Sequence, residues 1–412
     1  MAIVKPFQCV RPEKEAAHLV AALPYDVYNR EEAALVTASN PKSFLNIDRP
    51  ETQFSEDVGT YDDCVYEKAA QMLKDFIRQE TLYKDQDQAY YIYELVMNGR
   101  SQTGIVACSS IDDYTSGVIK KHENTREEKE LDRIRHVDTT DAQTGPIFLA
   151  YRSDEAINGL VKEKKKAEPI YDFTADDGVI HRVWKIAKDD DVKNLESSFS
   201  RIPATYIADG HHRAASAVKV GLKRRQESPG YTKEDPFNYF LSVLFPDDQL
   251  MILPYNRVVK DLNGLGEKEF LEKLNNSFVV TAMGKEAFSP TKKGTFGMYH
   301  NNMWYCLTAK DSLYTNDPVK DLDVSILQDN LLCPILGIND PRTDKRIDFI
   351  GGIRGLKELE TRCAKDMTVA FSMYPTSLQE LFFVADSGLL MPPKSTWFEP
   401  KLRSGLFIHL LQ

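Results

Sequence analysis

Val65, Ala69, Met72, Leu73, Phe76 and Ile77 recur at the spacing of one helical face, which predicts a helix within Tyr61 to Tyr83. Tyr90 to Met97 then reads as extended chain, followed by Asn98-Gly99 and a second extended stretch ending near Ile111. Both residues of an Asn-Gly pair tolerate positive φ, so a tight hairpin is expected there. Thr125 with Glu128 three residues on has the form of a capping box opening the next helix. Gly145-Pro146 interrupts the pattern, and the run Ile147 to Tyr151 reads as a buried strand. The lysine-rich stretch after Asn158 reads as an exposed excursion. A strand at Thr205 to Ala208 leads into a helix whose inward positions are Ala214, Ala217, Val218 and Leu222.

Beyond about Tyr255 the pattern starts afresh. A helix is expected near Glu267 to Asn275, a strand through Trp304 to Leu307 and a helix near Val324 to Leu332. Thr368 to Tyr374 reads as a strand, and Ser377 to Asp386 as a helix ended by Gly388. The proline-containing tail Met391 to Trp397 reads as an extended segment entering a final hairpin. Alternating helix and strand signals make this a mixed α/β (α+β) protein. At 412 residues the chain exceeds one compact core, and two domains, 1–255 and 256–412, are expected.

Charge narrows the partners. The net charge is −10, so general attraction to a nucleic-acid backbone is absent. The basic clusters Lys162, Lys164, Lys165, Lys166 and Lys223, Arg224, Arg225 read as solvated faces. None of the six cysteines forms a CxxC pair, and they read as reduced, mostly buried thiols. Met1 to Pro6 lacks the apolar run of a signal peptide, and no apolar stretch is long enough to span a bilayer. No membrane partner and a cytoplasmic location are the expectation.

The strongest chemical candidate is Asp209-Gly210-His211-His212-Arg213, where an apolar strand turns into a helix. Gly210 permits a sharp turn and close approach of a ligand. Free N–H groups of a first helical turn and the helix dipole favour an anion. Two histidines and an arginine there supply donors and positive charge for phosphate oxygens. An aspartate beside phosphate would repel it unless a metal intervenes, so Asp209 suggests Mg²⁺. The alternative, Asp209 as a helix cap with surface histidines, is outweighed by His-His-Arg in the first turn.

His122-Glu123-Asn124-Thr125 places a carboxylate at a loop end before a helix; an ordinary polar loop explains it equally well. Asp132 and Arg133 fit an ordinary helix-surface pair. Pro24-Tyr25-Asp26-Val27 reads as a rigid turn carrying one carboxylate. Lys394-Ser395-Thr396, after two prolines, suits either an anion such as a substrate carboxylate or the entry to a strand. GxxxxGK[ST], protein-kinase, GxGxxG, HExxH and GxSxG patterns are all absent.

These motifs, in order, resemble those of the domain of unknown function 1015 family, the free-serine-kinase-like proteins. The resemblance rests on Pro24 to Val27, His122-Glu123-x-Thr125 with Asp132-Arg133, Pro146-Ile147-Phe148, Ile207 to Arg213, and Met391 to Thr396. It implies a ParB/sulfiredoxin-like nucleotide-binding core with large elaborations, including an insert between Tyr151 and Ile202 that the short kinases lack. It further implies ATP or ADP with Mg²⁺ bound at Asp209, Gly210, His211, His212 and Arg213. Glu123 falls on the catalytic base of the short kinases, with Asp209 and His122 as further candidate catalytic residues. Free L-serine is the implied acceptor, with Lys394, Ser395, Thr396 and Asp26 as candidate substrate contacts. A ParB-like protein binding nucleotide and DNA, often as a homodimer, is the alternative; the acidic charge and the lack of a helix-turn-helix argue against it. A sulfiredoxin-like reductase needs cysteine where His211 stands.

Overall fold

Asn98 and Gly99 both take positive φ, 52° and 77°, and join the antiparallel strands Tyr90–Met97 and Arg100–Ser110. Around this hairpin the chain builds its larger sheet. The computed structural model describes residues 1–412, which divide into two compact units: Met1–Leu250 with Pro400–Gln412, and Met251–Glu399. The sequence reading placed everything after Tyr255 in the second domain. In the structure the last residues return to the first unit, where His409–Leu410 pairs antiparallel with Ala142–Gln143.

The first unit carries a nine-stranded mixed sheet. From one edge its order is Ile119–Lys120, Thr205–Asp209, Ile147–Tyr151, Tyr239–Pro246, Arg100–Ser110, Tyr90–Met97, Ile180–Ile186 and Tyr171–Thr174, with Val4–Lys5 on Arg100–Ser110. One core forms where Ile92, Ile105, Leu149 and Ile207 meet Ala214, Ala217 and Val218 of the helix His211–Glu227. Leu222 stays exposed instead of joining that face. A second core packs Ala69, Leu73 and Phe76 of the helix Asp63–Arg78 against Phe44, Leu45 and Ile408. Burying each such large side chain stabilises the unit by about 1.5–3 kcal/mol.

Several local expectations are revised. The helix after Thr125 begins at Glu127 with no side-chain cap, and the Thr125 hydroxyl donates to Glu130 Oε2 at 2.7 Å. Glu130, two residues beyond Glu128, also pairs with Lys219, and no box with Glu128 forms. The stretch after Asn158 is not a free excursion. Glu155–Lys164 is a helix, and Lys165 donates to Glu94 at 2.5 Å. Asp132 and Arg133 are both buried, and Tyr66 donates to Asp132 Oδ1 at 2.9 Å. All six cysteines are free, but Cys9 and Cys108 alone are buried and Cys64 is exposed.

The second unit is built on a six-stranded antiparallel sheet: Phe278–Gly284, Met303–Ala309, Thr295–His300, Val369–Ser372, Tyr255–Val259 and Ile347–Gly351. The helix Leu378–Asp386 opens with a capping box between Ser377 and Glu380. The predicted helix near Val324 is an α-turn, Asp323–Leu327, continuing as a π-turn, Gln328–Leu332. The tail makes no hairpin of its own: Trp397–Phe398 pairs with Ile252–Leu253. No helix is long and apolar enough to cross a membrane.

Candidate functional site

Pairing direction assembles the site. Ile119–Lys120 runs parallel to Thr205–Asp209, so both chains leave the sheet at the same end. Ile147–Tyr151 runs antiparallel to Thr205–Asp209, which brings the residues preceding it to that end too. His122-Glu123, Gly145-Pro146 and Asp209-Gly210 are thereby neighbours. An irregularity between Ile207 and Asp209 breaks the register just before the turn.

Gly210 has φ 93° and forms the N-cap of the helix His211–Glu227. A Cβ there would lie 3.0 Å from Arg213 Nε, so glycine is needed for both conformation and space. The first intrahelical bond is Ala214 N–H to Gly210 O at 2.9 Å, so the N–H groups of His211, His212 and Arg213 precede the helical ladder. This is the geometry that accepts an anion.

The charges are arranged differently from the expectation. Lys401 Nζ lies 3.2 Å from Asp209 Oδ2, Arg213 Nη2 lies 3.8 Å from it, and Oδ1 accepts the Gly210 N–H at 2.9 Å. Burial alone would push the Asp209 carboxyl up, but Lys401 and Arg213 outweigh it and hold it at about 2. Arg213 Nη1 also donates to Pro146 O at 2.6 Å.

The histidines do not supply positive charge. His122 and His211 are buried edge to face, with ring centroids 4.5 Å apart. Burial pushes His122 down to about 4, against the pull of Asp209 and a hydrogen bond to Ile207. Burial and then His122 push His211 well below its ordinary value. His212 Nε2 accepts the Arg126 N–H at 3.0 Å, which leaves its Nδ1 as the donor. Burial, opposed by Asp26, lowers His212 as well.

Glu123 reaches the loop as expected: its Oε2 lies 3.9 Å from His211 Nδ1, and its side chain is 48% exposed. His122 Nδ1 and His211 Nε2 are buried without a hydrogen-bond partner. One ligand atom from each of His122, Glu123 and His211 lies within 4.8 Å of the others. Two imidazoles and a carboxylate could hold a transition metal; they fit Mg²⁺, which favours oxygen ligands, poorly. Asp209 also fits Mg²⁺ poorly, because two cations already face its carboxylate.

Beside Arg213 is a small cavity of about 30 Å³, lined by Tyr25, Asp48, Arg133, Thr144 and Ser404 among others. The Arg133 guanidinium stacks 3.9 Å from the Tyr25 ring centre, and Thr144 donates to Asp48 Oδ1 at 2.9 Å. Asp26 lies in a short 3-10 turn, Tyr25–Val27, at this end of the unit. Lys394, Ser395 and Thr396 belong to the second unit. There the Lys394 carbonyl accepts from Arg257 Nη2 at 3.0 Å, and Ser395 Oγ donates to Pro392 O at 2.6 Å. Sequence reasoning missed Lys401, Asp48 and Thr144; a lone lysine after a proline carries no periodic signal.

Comparison with curated proteins gives no match. Among solved structures, a free serine kinase variant in complex with ADP is similar at 14% identity and a TM-score of 0.36, covering 74% of this chain and 92% of its own. C-terminally truncated SbnI from Staphylococcus aureus is similar at 13% identity and a TM-score of 0.39, covering 74% and 87%. A conserved hypothetical protein from Pyrococcus furiosus is similar at 14% identity and a TM-score of 0.35, covering 74% and 95%. The family model described as "Protein of unknown function (DUF1015)" matches residues 4–325, and the chain belongs to that family.

Proposed function

We propose that the protein is a phosphotransferase that moves a phosphoryl group from ATP or ADP to the hydroxyl of a small molecule, free L-serine being the acceptor. The observation that carries this reading is the meeting of the Glu123 carboxylate with the helix N-terminus at Gly210–Arg213, 3.9 Å from His211 Nδ1. An anion site and a half-exposed carboxylate stand side by side, as transfer to a hydroxyl requires.

The N–H groups of His211, His212 and Arg213 hold the phosphate oxygens, with Nδ1–H of His212 as a further donor. Arg213 and Lys401, kept in place by Asp209, supply the positive charge that stabilises the transferring group. Mg²⁺ enters as the counter-ion of the nucleotide, not on Asp209. The serine oxygen attacks the terminal phosphorus, Glu123 takes the hydroxyl proton, and the bond to the departing nucleotide breaks. Neutral His211 beside Glu123 does not compete for that proton in the usual pH range. Asp26, whose charge reaches His212, is placed to meet the ammonium group of the acceptor.

The test is direct. Purified protein is incubated with ATP or ADP, Mg²⁺ and a panel of amino acids, and the products are resolved by mass spectrometry. Nucleotide-dependent phosphoserine supports the reading, and its absence with both nucleotides overturns it.

A further inference from the structure

Arg257 occupies the middle of the strand Tyr255–Val259, opposite Phe349 on one side and Phe371 on the other. It is 3% exposed. Its Nη1 donates to Tyr255 O, its Nη2 donates to Lys394 O at 3.0 Å, and the guanidinium lies 5.4 Å from the Phe349 ring centre. No carboxylate pairs with it, and burial lowers it to about 10 with Tyr255 alone opposing. A buried cation without a counter-ion is costly, and two carbonyls leave further N–H groups unused.

Arg257 lines a cleft of about 370 Å³ within the second unit, in the size range of small-molecule sites. Val324, Gln328 and Leu332, spaced four apart along the α-turn and the following π-turn, share one wall of the cleft. Pro392 and Pro393 form part of the lining, and their segment continues into Lys394, whose carbonyl fixes Arg257. Val324, Leu332, Phe349 and the prolines make the apolar part of the lining, with Gln328 and Asn339 as neutral polar groups. Arg342, the other cation on it, is bound to Asp340 through Nε at 2.9 Å. With Arg342 and Asp340 neutralising each other, one uncompensated positive charge beside a partly apolar wall suits a monoanion rather than a doubly charged phosphate. The planar fork of a guanidinium matches a carboxylate in both geometry and charge.

We propose that this cleft binds a small organic monocarboxylate, with Arg257 gripping the carboxylate and Val324, Leu332, Pro392 and Pro393 enclosing its apolar body. The site is separate from the phosphotransfer reading and stands whether or not that reading holds.

The experiment is calorimetric titration of the full-length protein with sodium benzoate, benzyl alcohol and inorganic phosphate at matched ionic strength. Benzoate is expected to bind saturably, and the other two at least about 10-fold more weakly, because each lacks one half of the match. Arg257→Gln should weaken benzoate at least about 10-fold. Asn339, exposed on the cleft lining, provides a second variant that spares the interior: Asn339→Trp should obstruct the cleft and weaken benzoate with Arg257 intact. No saturable benzoate binding, equal binding of benzyl alcohol, tighter binding of phosphate, or benzoate affinity unchanged in both variants overturns the proposal.

Discussion

Lys401 and Asp209, 192 residues apart in sequence, meet at 3.2 Å beside the first turn of the helix His211–Glu227. The contact answers the question that an aspartate beside a phosphate site raises. Its negative charge is met by the lysine and by Arg213, so the loop stays attractive to an anion without a metal on Asp209. Lys401→Met should leave the carboxylate facing Arg213 alone and bring part of the repulsion back. Nucleotide affinity measured by calorimetry is expected to fall by about 10-fold, roughly the loss of one charge-assisted interaction.

Arg213→Ala removes both a cation at the loop and the hydrogen bond to Pro146 O. A loss of about 1.5–3 kcal/mol in nucleotide binding is expected. His212→Ala should cost less, because that imidazole is uncharged and already accepts the Arg126 N–H. Unchanged affinity in both variants would move the nucleotide away from this loop.

The two units should respond to acid in opposite senses. In the first, burial lowers His122 and His409 to about 4 and His181 to about 3. The unfolded chain therefore takes up protons near pH 6.5 while the folded chain resists until about pH 4, and stability is lost as pH falls through that window. In the second, burial raises Asp323 to about 7, although its carboxylate accepts the Gly294 N–H. Its folded form keeps a proton that the unfolded form releases near pH 4, so stability is lost as pH rises from about 4 to 7. Hydrogen exchange followed peptide by peptide at about pH 5 and about pH 7.5, corrected for intrinsic rates, should show the contrast. Asp323→Asn should abolish it in the second unit.

Duplex DNA should not bind specifically, with or without nucleotide. The basic clusters are met by carboxylates: Lys164 by Asp191, Lys165 by Glu94, Lys223 and Arg224 by Asp138, and Arg225 by Asp112. A sequence-dependent mobility shift at sub-micromolar protein and about 0.15 M salt would favour a ParB-like binding protein instead.

What the sequence revealed and what it hid follow from the range of each interaction. The loop Asp209–Arg213 was legible because its strand, glycine and helix are contiguous, and each announces itself by a local rule. Glu123 was legible only through the resemblance; its arrival at the loop depends on the parallel pairing of Ile119–Lys120 with Thr205–Asp209. The neutral state of His211 was hidden, since it comes from burial against His122. Thr125 misled because a hydroxyl before a helix can donate as well as accept, and donation to Glu130 won over accepting a backbone N–H as a cap. Lys401 was invisible, because the return of Pro400–Gln412 to the first unit is a tertiary fact with no local pattern.

In the proposed reaction Glu123 takes the proton of the acceptor hydroxyl. The decisive measurement is the rate of phosphoserine formation by Glu123→Gln, taken together with its nucleotide affinity. Glutamine keeps the size and polarity of the side chain but cannot take the hydroxyl proton. Turnover should fall about 10²–10⁴-fold with nucleotide affinity nearly unchanged, the signature of lost transition-state stabilisation. Weakened nucleotide or metal binding with turnover of the bound substrate preserved would contradict it, and would make Glu123 a ligand rather than the base.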